Sequence, residues 1–254
     1  MKIAVVTGAS SGMGREFAVR LCKEEKFDEL WVIARRKDRL ESIKDEVSIP
    51  VKAISLDLTK QEAIKEYEEM LKESGAEVSV LVNASGFGKF GAFCDLSLED
   101  QLEMIDLNDK ALVSMTYVTL PFMNKGSKIY QIDSLSSFQP VPYIGVYAAT
   151  KAFVLSFSRS LGAELKKRGI RVLAVCPGWV KTEFFDRAVV DDSVITYYNK
   201  FVTAEQVVTR AFKDMKRGKD VSVCAFSIRA QVLLTKILPH RIVMYIWLKQ
   251  QKKI

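Results

Sequence analysis

The chain has 254 residues, 48% of them hydrophobic and 27% charged, and its net charge is +7, a composition that predicts a globular protein with a large core. The positive charge suits surface helices, a phosphorylated ligand or an anionic membrane, and without a recognised nucleic-acid motif we expect no nucleic-acid partner. The four scattered cysteines predict reduced, buried thiols in a cytoplasmic protein and exclude a disulfide framework or a zinc site, so no metal is expected: Cys22, Cys94, Cys176 and Cys224.

The chain begins with the pattern of a strand, a glycine-rich turn and a helix. Residues 3–7 form the continuous apolar run expected of a strand that is buried on both faces. The turn at 8–14 follows with the spacing G-x-x-x-G-x-G, and a helix pattern continues to about Glu25. Glycines here let the backbone approach a pyrophosphate, and the helix N-terminus supplies N–H donors. A plain tight turn is the alternative.

Arginines follow the second predicted strand, residues 30–34, at the place where the adenosine ribose of a dinucleotide would lie. An acidic residue there would bind the ribose 2′-hydroxyl, whereas Arg35 and Arg36 suit a 2′-phosphate through charge-assisted hydrogen bonds. The expected cofactor is therefore NADP(H). A solvated basic run at a helix start is the alternative.

Two further strands bring polar and small residues to the same edge of the predicted sheet. The third strand, 51–56, is followed by Asp57, a candidate contact for an adenine ring, and by Thr59, a candidate helix N-cap. The fourth strand, 78–82, ends in small residues that again allow close backbone approach. A helical region from about 97 to 123 carries Asn108, which on its own resembles a helix-packing amide.

The remaining strands complete a parallel sheet. They are predicted at 128–132, 171–175 and, more weakly, 221–225. Ser134 lies at the carboxyl end of the fifth strand, where ligands bind in such sheets. Because strands and helices alternate without an internal boundary, we predict an α/β fold: one Rossmann-type doubly wound domain over residues 1–254, with about seven parallel strands and helices on both faces.

A helix predicted at about 145–168 places Tyr147 and Lys151 four residues apart on one face. The ammonium favours the phenolate, so we expect the pKa of Tyr147 to fall from its usual value of about 10 toward working pH. Such a phenol can give a proton to a carbonyl oxygen or take one from an alcohol. The same pair is also common on solvated helices.

Over residues 1 to about 185, the sequence resembles the short-chain dehydrogenase/reductase family. Ser134 precedes Tyr147 by thirteen residues, which is the family's usual separation. The motifs are individually unspecific, and their order carries the resemblance. The other shared features are Thr7 to Gly14, Asp57, the turn from Asn83 to Gly86, Asn108, Lys151 and Pro177-Gly178.

The resemblance implies hydride transfer at a carbonyl or a secondary alcohol, with a nicotinamide supplying the hydride. Tyr147 would be the acid in reduction and the base in oxidation, Lys151 would lower its pKa and hold the nicotinamide ribose, and Ser134 would hydrogen-bond the substrate oxygen. Asn108 would hold a water that passes protons toward Lys151. Together with Tyr147 and Lys151, the implied cofactor-binding residues are Gly8, Ser10, Ser11, Gly12, Met13, Gly14, Arg35, Arg36, Asp57, Leu58, Asn83, Ala84, Ser85, Pro177, Gly178, Val180 and Thr182.

The sequence departs from the family pattern in two places. Ala84 replaces an amide in the usual Asn-Asn-Ala-Gly turn, which questions the rigidity of the sheet near the cofactor. The usual Asp-Gly-Gly ending is absent, and a hydrophobic, basic C-terminal extension, residues 226–254, follows the last strand. Its apolar runs are too short to span a bilayer.

We expect two short helices in this extension, the second starting near Pro239, with His240 as a helix-start residue and not a catalytic one. Packing over the substrate mouth or against a second subunit is the favoured interpretation. Peripheral contact with an anionic membrane surface is the alternative.

Aromatic residues in the loops after the fourth, fifth and sixth strands predict a bulky apolar carbonyl or alcohol substrate, such as a ketone or a hydroxysteroid-like compound. Residues 185–205 are expected to form a substrate loop or lid. One alternative is a 3-oxoacyl thioester, against which the aromatic loops and the missing Asp-Gly-Gly ending weigh. A non-enzymatic NADP(H)-binding sensor is the other, but it would not need Ser134, Tyr147 and Lys151. From the resemblance we expect a homodimer formed through the helices that hold Asn108 and Tyr147.

Overall fold

Seven parallel strands form one sheet in a computed structural model of the chain, which describes residues 1–189, 194–198 and 201–254. Their spatial order is β3-β2-β1-β4-β5-β6-β7. This architecture confirms the predicted doubly wound α/β domain. The strands are β1 (Lys2–Thr7), β2 (Glu29–Ala34), β3 (Val51–Ser55), β4 (Glu77–Asn83), β5 (Lys128–Ile132), β6 (Arg171–Val175) and β7 (Val221–Ser222).

Helices connect the strands and cover both faces of the sheet. The longest, α6, carries the predicted Tyr147–Lys151 pair. In chain order the helices are α1 (Gly12–Glu24), α2 (Lys37–Glu41), α3 (Gln61–Ser74), α4 (Leu98–Ile105), α5 (Ala111–Thr119), α6 (Gly145–Leu165), α7 (Phe184–Ala188), α8 (Ala204–Lys216), α9 (Phe226–Ile237) and α10 (His240–Gln250).

Successive residues of β1 belong to two separate cores, which explains why the strand is a continuous apolar run. Ala4 and Val6 pack into the core that α1 and α8 cover, where the rings of Phe17 and Phe212 lie 5.8 Å apart. Ile3 and Val5 pack into the core of the other face, which α3, α5 and α6 cover. Complete burial of a side chain of this size stabilises the fold by about 2 kcal/mol.

Several local predictions are corrected by the structure. The seventh strand is two residues long and not five, because the chain turns at 223–225 to enter α9. The predicted helix at 97–123 is divided by a π-helical turn, Asp106–Lys110, which separates α4 from α5. Lys60, not Thr59, is the N-cap of α3, since the Thr59 hydroxyl donates to the Asp57 carboxylate at 2.8 Å. Cys94 is exposed, although we expected four buried thiols.

The order of the strands fixes where a ligand can bind. β1 lies between β2 and β4, so the chain winds outward in opposite directions from this point. The loops that leave the carboxyl ends of β1 and β4 therefore diverge and leave a crevice between them. The glycine-rich turn and the turn that contains Ala84 are the loops that border this crevice.

The last two helices lie against the β6–β7 side of the molecule. Pro239 is the N-cap residue of α10 and separates it from α9. Ile228 of α9 packs so closely on Gly178 that a Cβ there would lie 2.8 Å from the Ile228 Cδ1. None of the helices in the described parts of the chain is long and apolar enough to cross a bilayer.

Candidate active site

Tyr147 and Lys151 lie one turn apart on the buried face of α6, next to the carboxyl end of β5. Only 9% of Tyr147 and 5% of Lys151 is exposed. The Lys151 Nζ donates a hydrogen bond to the Ile132 carbonyl oxygen at 2.9 Å and lies 5.7 Å from the centre of the Tyr147 ring. The last residue of β5 thus fixes the ammonium beside the phenol.

The prediction that the pKa of Tyr147 falls toward working pH is wrong for this structure. Burial disfavours the phenolate and raises the pKa of Tyr147, and the hydrogen bond with Ser134 offsets only part of this effect. Burial also lowers the pKa of Lys151, although Asp133 and Asp109 favour its charged form. Tyr147 is therefore held as the neutral phenol, which is the form that donates a proton to a carbonyl oxygen.

Ser134 begins the short 3₁₀ turn Leu135–Phe138 that follows β5. Its hydroxyl accepts a hydrogen bond from the Ser136 N–H at 3.2 Å, and its carbonyl oxygen accepts one from the Ser137 hydroxyl at 2.6 Å. These local bonds hold the side chain at the wall of the cleft that Tyr147 also lines. Two hydroxyl groups therefore face one space that can take a substrate oxygen.

Asn108 lies fully buried in the π-helical turn between α4 and α5. Its Oδ1 accepts from the Phe87 N–H at 3.0 Å, and its Nδ2 donates to the Phe87 carbonyl at 2.9 Å and to the Thr150 hydroxyl at 3.0 Å. The side chain thereby ties the loop after β4 to α6, one residue before Lys151. Widened turns of this kind are frequent at functional sites. A role for Asn108 in holding a water stays a prediction.

A second cleft opens over the glycine-rich turn, between the carboxyl ends of β1, β2 and β4. A Cβ at Gly8 would lie 2.6 Å from the Ala84 carbonyl oxygen, and one at Gly14 would collide with the Gly8 carbonyl. Because side chains are excluded here, backbone and the N-terminus of α1 form the surface, as a pyrophosphate requires. The predicted residues that line this cleft are Gly8, Ser10, Ser11, Gly12, Met13, Gly14, Arg35, Arg36, Asp57, Leu58, Ala84, Ser85 and Thr182.

The two arginines after β2 have different surroundings. The Arg36 guanidinium donates to the Ser10 hydroxyl at 3.1 Å and pairs with Glu183 at 2.9 Å. Arg35 lies 3.7 Å from the carboxylate of Glu103. Arg36 is thus the arginine in contact with the glycine-rich turn.

The Asn83 side chain points into the sheet, and a role for this residue in binding the cofactor stays a prediction. Its Nδ2 donates to the Thr116 hydroxyl and to the Gln131 Oε1, both at 2.9 Å, inside the sheet. Asn83 therefore braces β4 against β5 and α5. The backbone N–H of Ala84 donates to the Thr7 hydroxyl at 3.0 Å, so the turn is held although the usual amide is missing.

The cleft that contains Ser134 and Tyr147 has apolar and aromatic walls. Pro177, Gly178, Val180 and Thr182 form its floor beside the glycine-rich turn. The Phe184 ring packs 5.6 Å from the Tyr147 ring, centre to centre. The cleft measures about 890 Å³ including the solvent at its mouth, and no Lys, Arg or His lines it within the described part of the chain.

The last helix closes this cleft from the outside. The indole N–H of Trp247 donates to the Pro142 carbonyl at 3.0 Å, and its ring forms part of the wall. Gln251 is fully buried and hydrogen-bonds the backbone of Thr196 and Tyr197, within the predicted substrate loop. Residues 190–193 and 199–200 of that loop lie outside the described residues. Sequence reasoning placed the extension over the substrate mouth but singled out neither Trp247 nor Gln251.

Asp133 was also missed, although an acidic residue between Ile132 and Ser134 at the end of a buried strand is a visible signal. Only 2% of it is exposed, and its carboxylate accepts a hydrogen bond from the Cys176 thiol at 3.1 Å. Burial raises its pKa to about 7, against the opposing effect of the Lys151 ammonium. The ammonium therefore has a buried acid as its neighbour.

A family model described as short chain dehydrogenase matches residues 2–193. The chain belongs to the short-chain dehydrogenase family. As a member it is an NAD(P)-dependent oxidoreductase. The glycines and serines that line the cleft over the glycine-rich turn have the small size and the N–H donors that a dinucleotide requires.

Three relatives show how far the similarity extends. An NADP-dependent 3-hydroxy acid dehydrogenase of Salmonella typhi is 37% identical over 186 residues, which cover 72% of this chain and 74% of that protein. The structure of a short-chain dehydrogenase from Sphingobium yanoikuyae in complex with NADPH has a TM-score of 0.79 and 29% identity, over 92% of each chain. A bulky-bulky ketone specific alcohol dehydrogenase from Comamonas testosteroni has a TM-score of 0.74 and 25% identity, over 93% of this chain and 92% of that one.

Proposed function

We propose that this dehydrogenase uses NADP(H) to interconvert a bulky apolar ketone and its secondary alcohol. The observation that carries the proposal is the wall of the cleft beside Tyr147 and Ser134. It contains the rings of Trp179, Phe184 and Trp247 and no cationic side chain among the described residues. An apolar substrate gains free energy by leaving water for such a wall.

The same wall argues against a small anionic substrate. A 3-hydroxy acid carries a carboxylate, which on entering an apolar cleft loses its hydration and requires an Arg or Lys partner. Cationic side chains line the neighbouring dinucleotide cleft instead, namely Arg35, Arg36, Lys89 and Arg187. The likeness to an alcohol dehydrogenase that is specific for bulky-bulky ketones supports the same substrate class.

The nicotinamide would lie beside Pro177, Gly178 and Val180 and would supply the hydride. In the reducing direction, the neutral phenol of Tyr147 donates its proton to the carbonyl oxygen as negative charge develops there. Ser134 donates a hydrogen bond to the same oxygen and so holds the carbonyl in place. Lys151, fixed by the Ile132 carbonyl, stabilises the phenolate that remains.

We base the preference for NADP(H) on the two arginines after β2. A ribose 2′-phosphate at this place would compete with Glu183 for Arg36, and with Glu103 for Arg35. A phosphate carries about two negative charges and accepts bidentate bonds, so it is the stronger partner. The NADPH complex of the Sphingobium yanoikuyae relative supports this choice.

We also propose a cytoplasmic homodimer. Leu98 and Leu102 of α4 and Phe153 of α6 leave large apolar groups exposed on one face of two packed helices. A second copy that presents the same face would cover them. The cysteines are free thiols, which the reducing cytoplasm preserves. Sedimentation of Leu102→Gln, expected to be monomeric, tests the dimer, and a dimer of unchanged stability would contradict it.

The experiment for the reaction follows NADPH oxidation with aryl and steroid ketones, a 3-oxo acid and a 3-oxoacyl thioester. We expect turnover of the bulky ketones alone, with NADH a poor substitute for NADPH. Tyr147→Phe should lower kcat about a thousandfold while NADPH binding is kept, and Tyr117→Phe, which removes an exposed hydroxyl, serves as the matched control. Turnover of the thioester or the acid alone would refute the substrate class. Tight NADPH binding without any turnover would favour the sensor.

A further inference from the structure

The outer surface of α9 and α10 combines two features, exposed apolar side chains and unbalanced positive charge. We define the outer face of α9–α10 as the exposed side chains of these two helices. Among the described residues, nearly half of the large apolar side chains that are exposed belong to residues 226–254. The same residues carry a net charge of +6 out of the chain's +7.

The apolar groups of α9 form one stripe on the side opposite the core. Phe226, Leu233 and Ile237, which are 81%, 59% and 69% exposed, recur with helical spacing. Ile228 and Val232 point the other way and are buried against β6 and the turn after it. The exposed stripe is thus a second apolar face of α9, separate from the face that packs on the core.

The second helix continues the pattern. Ile242, Tyr245 and Ile246 of α10 are exposed, while Val243 is buried and Trp247 contacts the cleft. The apolar faces of the two helices flank the Pro239 turn. An exposed apolar surface of this kind indicates a contact site for a membrane or for another molecule.

The charges decide what covers it. Residues 226–254 contain six Lys and Arg and no Asp or Glu. Arg229, Lys236, Arg241 and Lys249 are exposed, and none of the four forms an ion pair with any residue that the structure describes. Cations that border an apolar stripe match a surface with fatty chains beneath anionic headgroups.

A second copy of the chain fits less well. In a two-fold contact through this face, its four positive charges would approach four others without an intervening carboxylate from either helix, and like charges repel. A nucleic acid would satisfy the cations but would leave the stripe of Phe226, Leu233 and Ile237 exposed to phosphates and water.

We propose that the outer face of α9–α10 docks on an anionic lipid membrane, as two helices lying in the interface. Neither helix is long enough to span the bilayer, so the contact is peripheral. Because vesicle binding is measured without turnover, this proposal stands or falls independently of the substrate class.

The test is co-sedimentation of the NADPH-loaded enzyme with vesicles of phosphatidylcholine and phosphatidylserine in equal parts, and with phosphatidylcholine alone. We expect binding to the anionic vesicles only, and its loss at high salt. Lys236→Gln with Lys249→Gln should weaken the partitioning about 25-fold, since each cation near such a surface is worth about fivefold. Leu233→Gln with Ile237→Gln should weaken it at least about tenfold.

Matched controls separate this surface from general charge and hydrophobicity. Lys166→Gln with Lys167→Gln removes the same two charges from another exposed site, and Tyr117→Ser removes an exposed ring from α5; both should bind vesicles like the original protein. All variants should keep their melting temperature and NADPH affinity. Equal binding by the stripe variant, or none by the original protein, would overturn the proposal. Loss of a dimer in the stripe variant, without vesicle binding by the original protein, would assign the face to a second copy.

Discussion

Replacement of Gln251 by alanine should open the substrate cleft without affecting the dinucleotide cleft. The Gln251 Oε1 accepts from the N–H groups of Thr196 and Tyr197 at 2.9 and 3.0 Å, and its Nε2 donates to the Tyr197 carbonyl at 3.0 Å. These three bonds hold the loop segment 194–198, which contributes Tyr197 to the wall of the cleft. The substitution removes all three and retains only the bond from the Thr196 hydroxyl to the Gln251 carbonyl.

The free-energy cost of the substitution depends on whether water can replace the lost hydrogen bonds of the loop. Thr196 and Tyr197 are exposed, so water replaces their lost partners and each bond costs only its net value of about 1 kcal/mol. Three bonds give about 3 kcal/mol, which is roughly a 100-fold shift toward the undocked loop. We therefore expect KM for an apolar ketone to rise about 10- to 100-fold, with a smaller change in kcat.

The assay compares Gln251→Ala with Lys249→Ala, which truncates an exposed side chain of α10 two residues before Gln251. KM for the ketone, the Kd for NADPH and the melting temperature are measured for both variants. The control should resemble the original protein in all three. An unchanged KM for the ketone in Gln251→Ala would refute the reasoning, as would an equal loss of affinity for NADPH, because the damage would then not be confined to the loop.

Three further predictions concern the rest of the site. Arg36→Ala should raise KM for NADPH about tenfold or more and leave KM for NADH nearly unchanged, whereas an equal effect on both cofactors would show that Arg36 does not contact a 2′-phosphate. Glu183→Gln should do the opposite and tighten NADPH binding, because Arg36 loses its competing partner; titration of the enzyme fluorescence with NADPH measures it, and weaker binding would contradict the argument. For Asp133 the folded pKa of about 7 exceeds the usual value near 4, so the folded state holds the proton more tightly and stability falls as pH rises from about 4 to about 7. Melting temperatures should show this fall to be smaller in Asp133→Asn and unchanged in the exposed control Asp95→Asn; equal pH profiles for all three proteins would refute it.

The sequence was sufficient for those parts of the molecule that depend on local pattern. Apolar runs located six of the strands. Five of them, β1, β2, β4, β5 and β6, are almost completely buried on both faces and need no polar alternation, whereas the edge strand β3 is only half-buried. The glycine-rich turn was visible because no side chain fits at Gly8 or Gly14. Ser134, Tyr147 and Lys151 were found by spacing, which the strand-to-helix geometry preserves.

Contacts between distant segments were not accessible in the same way. Gln251 lies 55 residues from Thr196 in the chain, and in a basic tail a glutamine resembles any solvated side chain. Its complete burial depends on how α10 crosses the substrate loop, which no local pattern encodes. Likewise Asn83 ends β4, and strand alternation points its side chain into the sheet, toward Gln131, a contact that the sequence did not show.

The error about Tyr147 has a more general cause. Spacing along a helix predicts which charges are neighbours, and hence the sign of their mutual interaction, but it contains no information on how much water surrounds them. At this site the phenol and the ammonium are both almost completely buried, and desolvation opposes the charged form of each. The two effects act on Tyr147 in opposite directions, and here the loss of water is the larger. At Tyr147 the burial of the side chain, and not its spacing from Lys151, therefore decides the direction in which the pKa of the phenol moves.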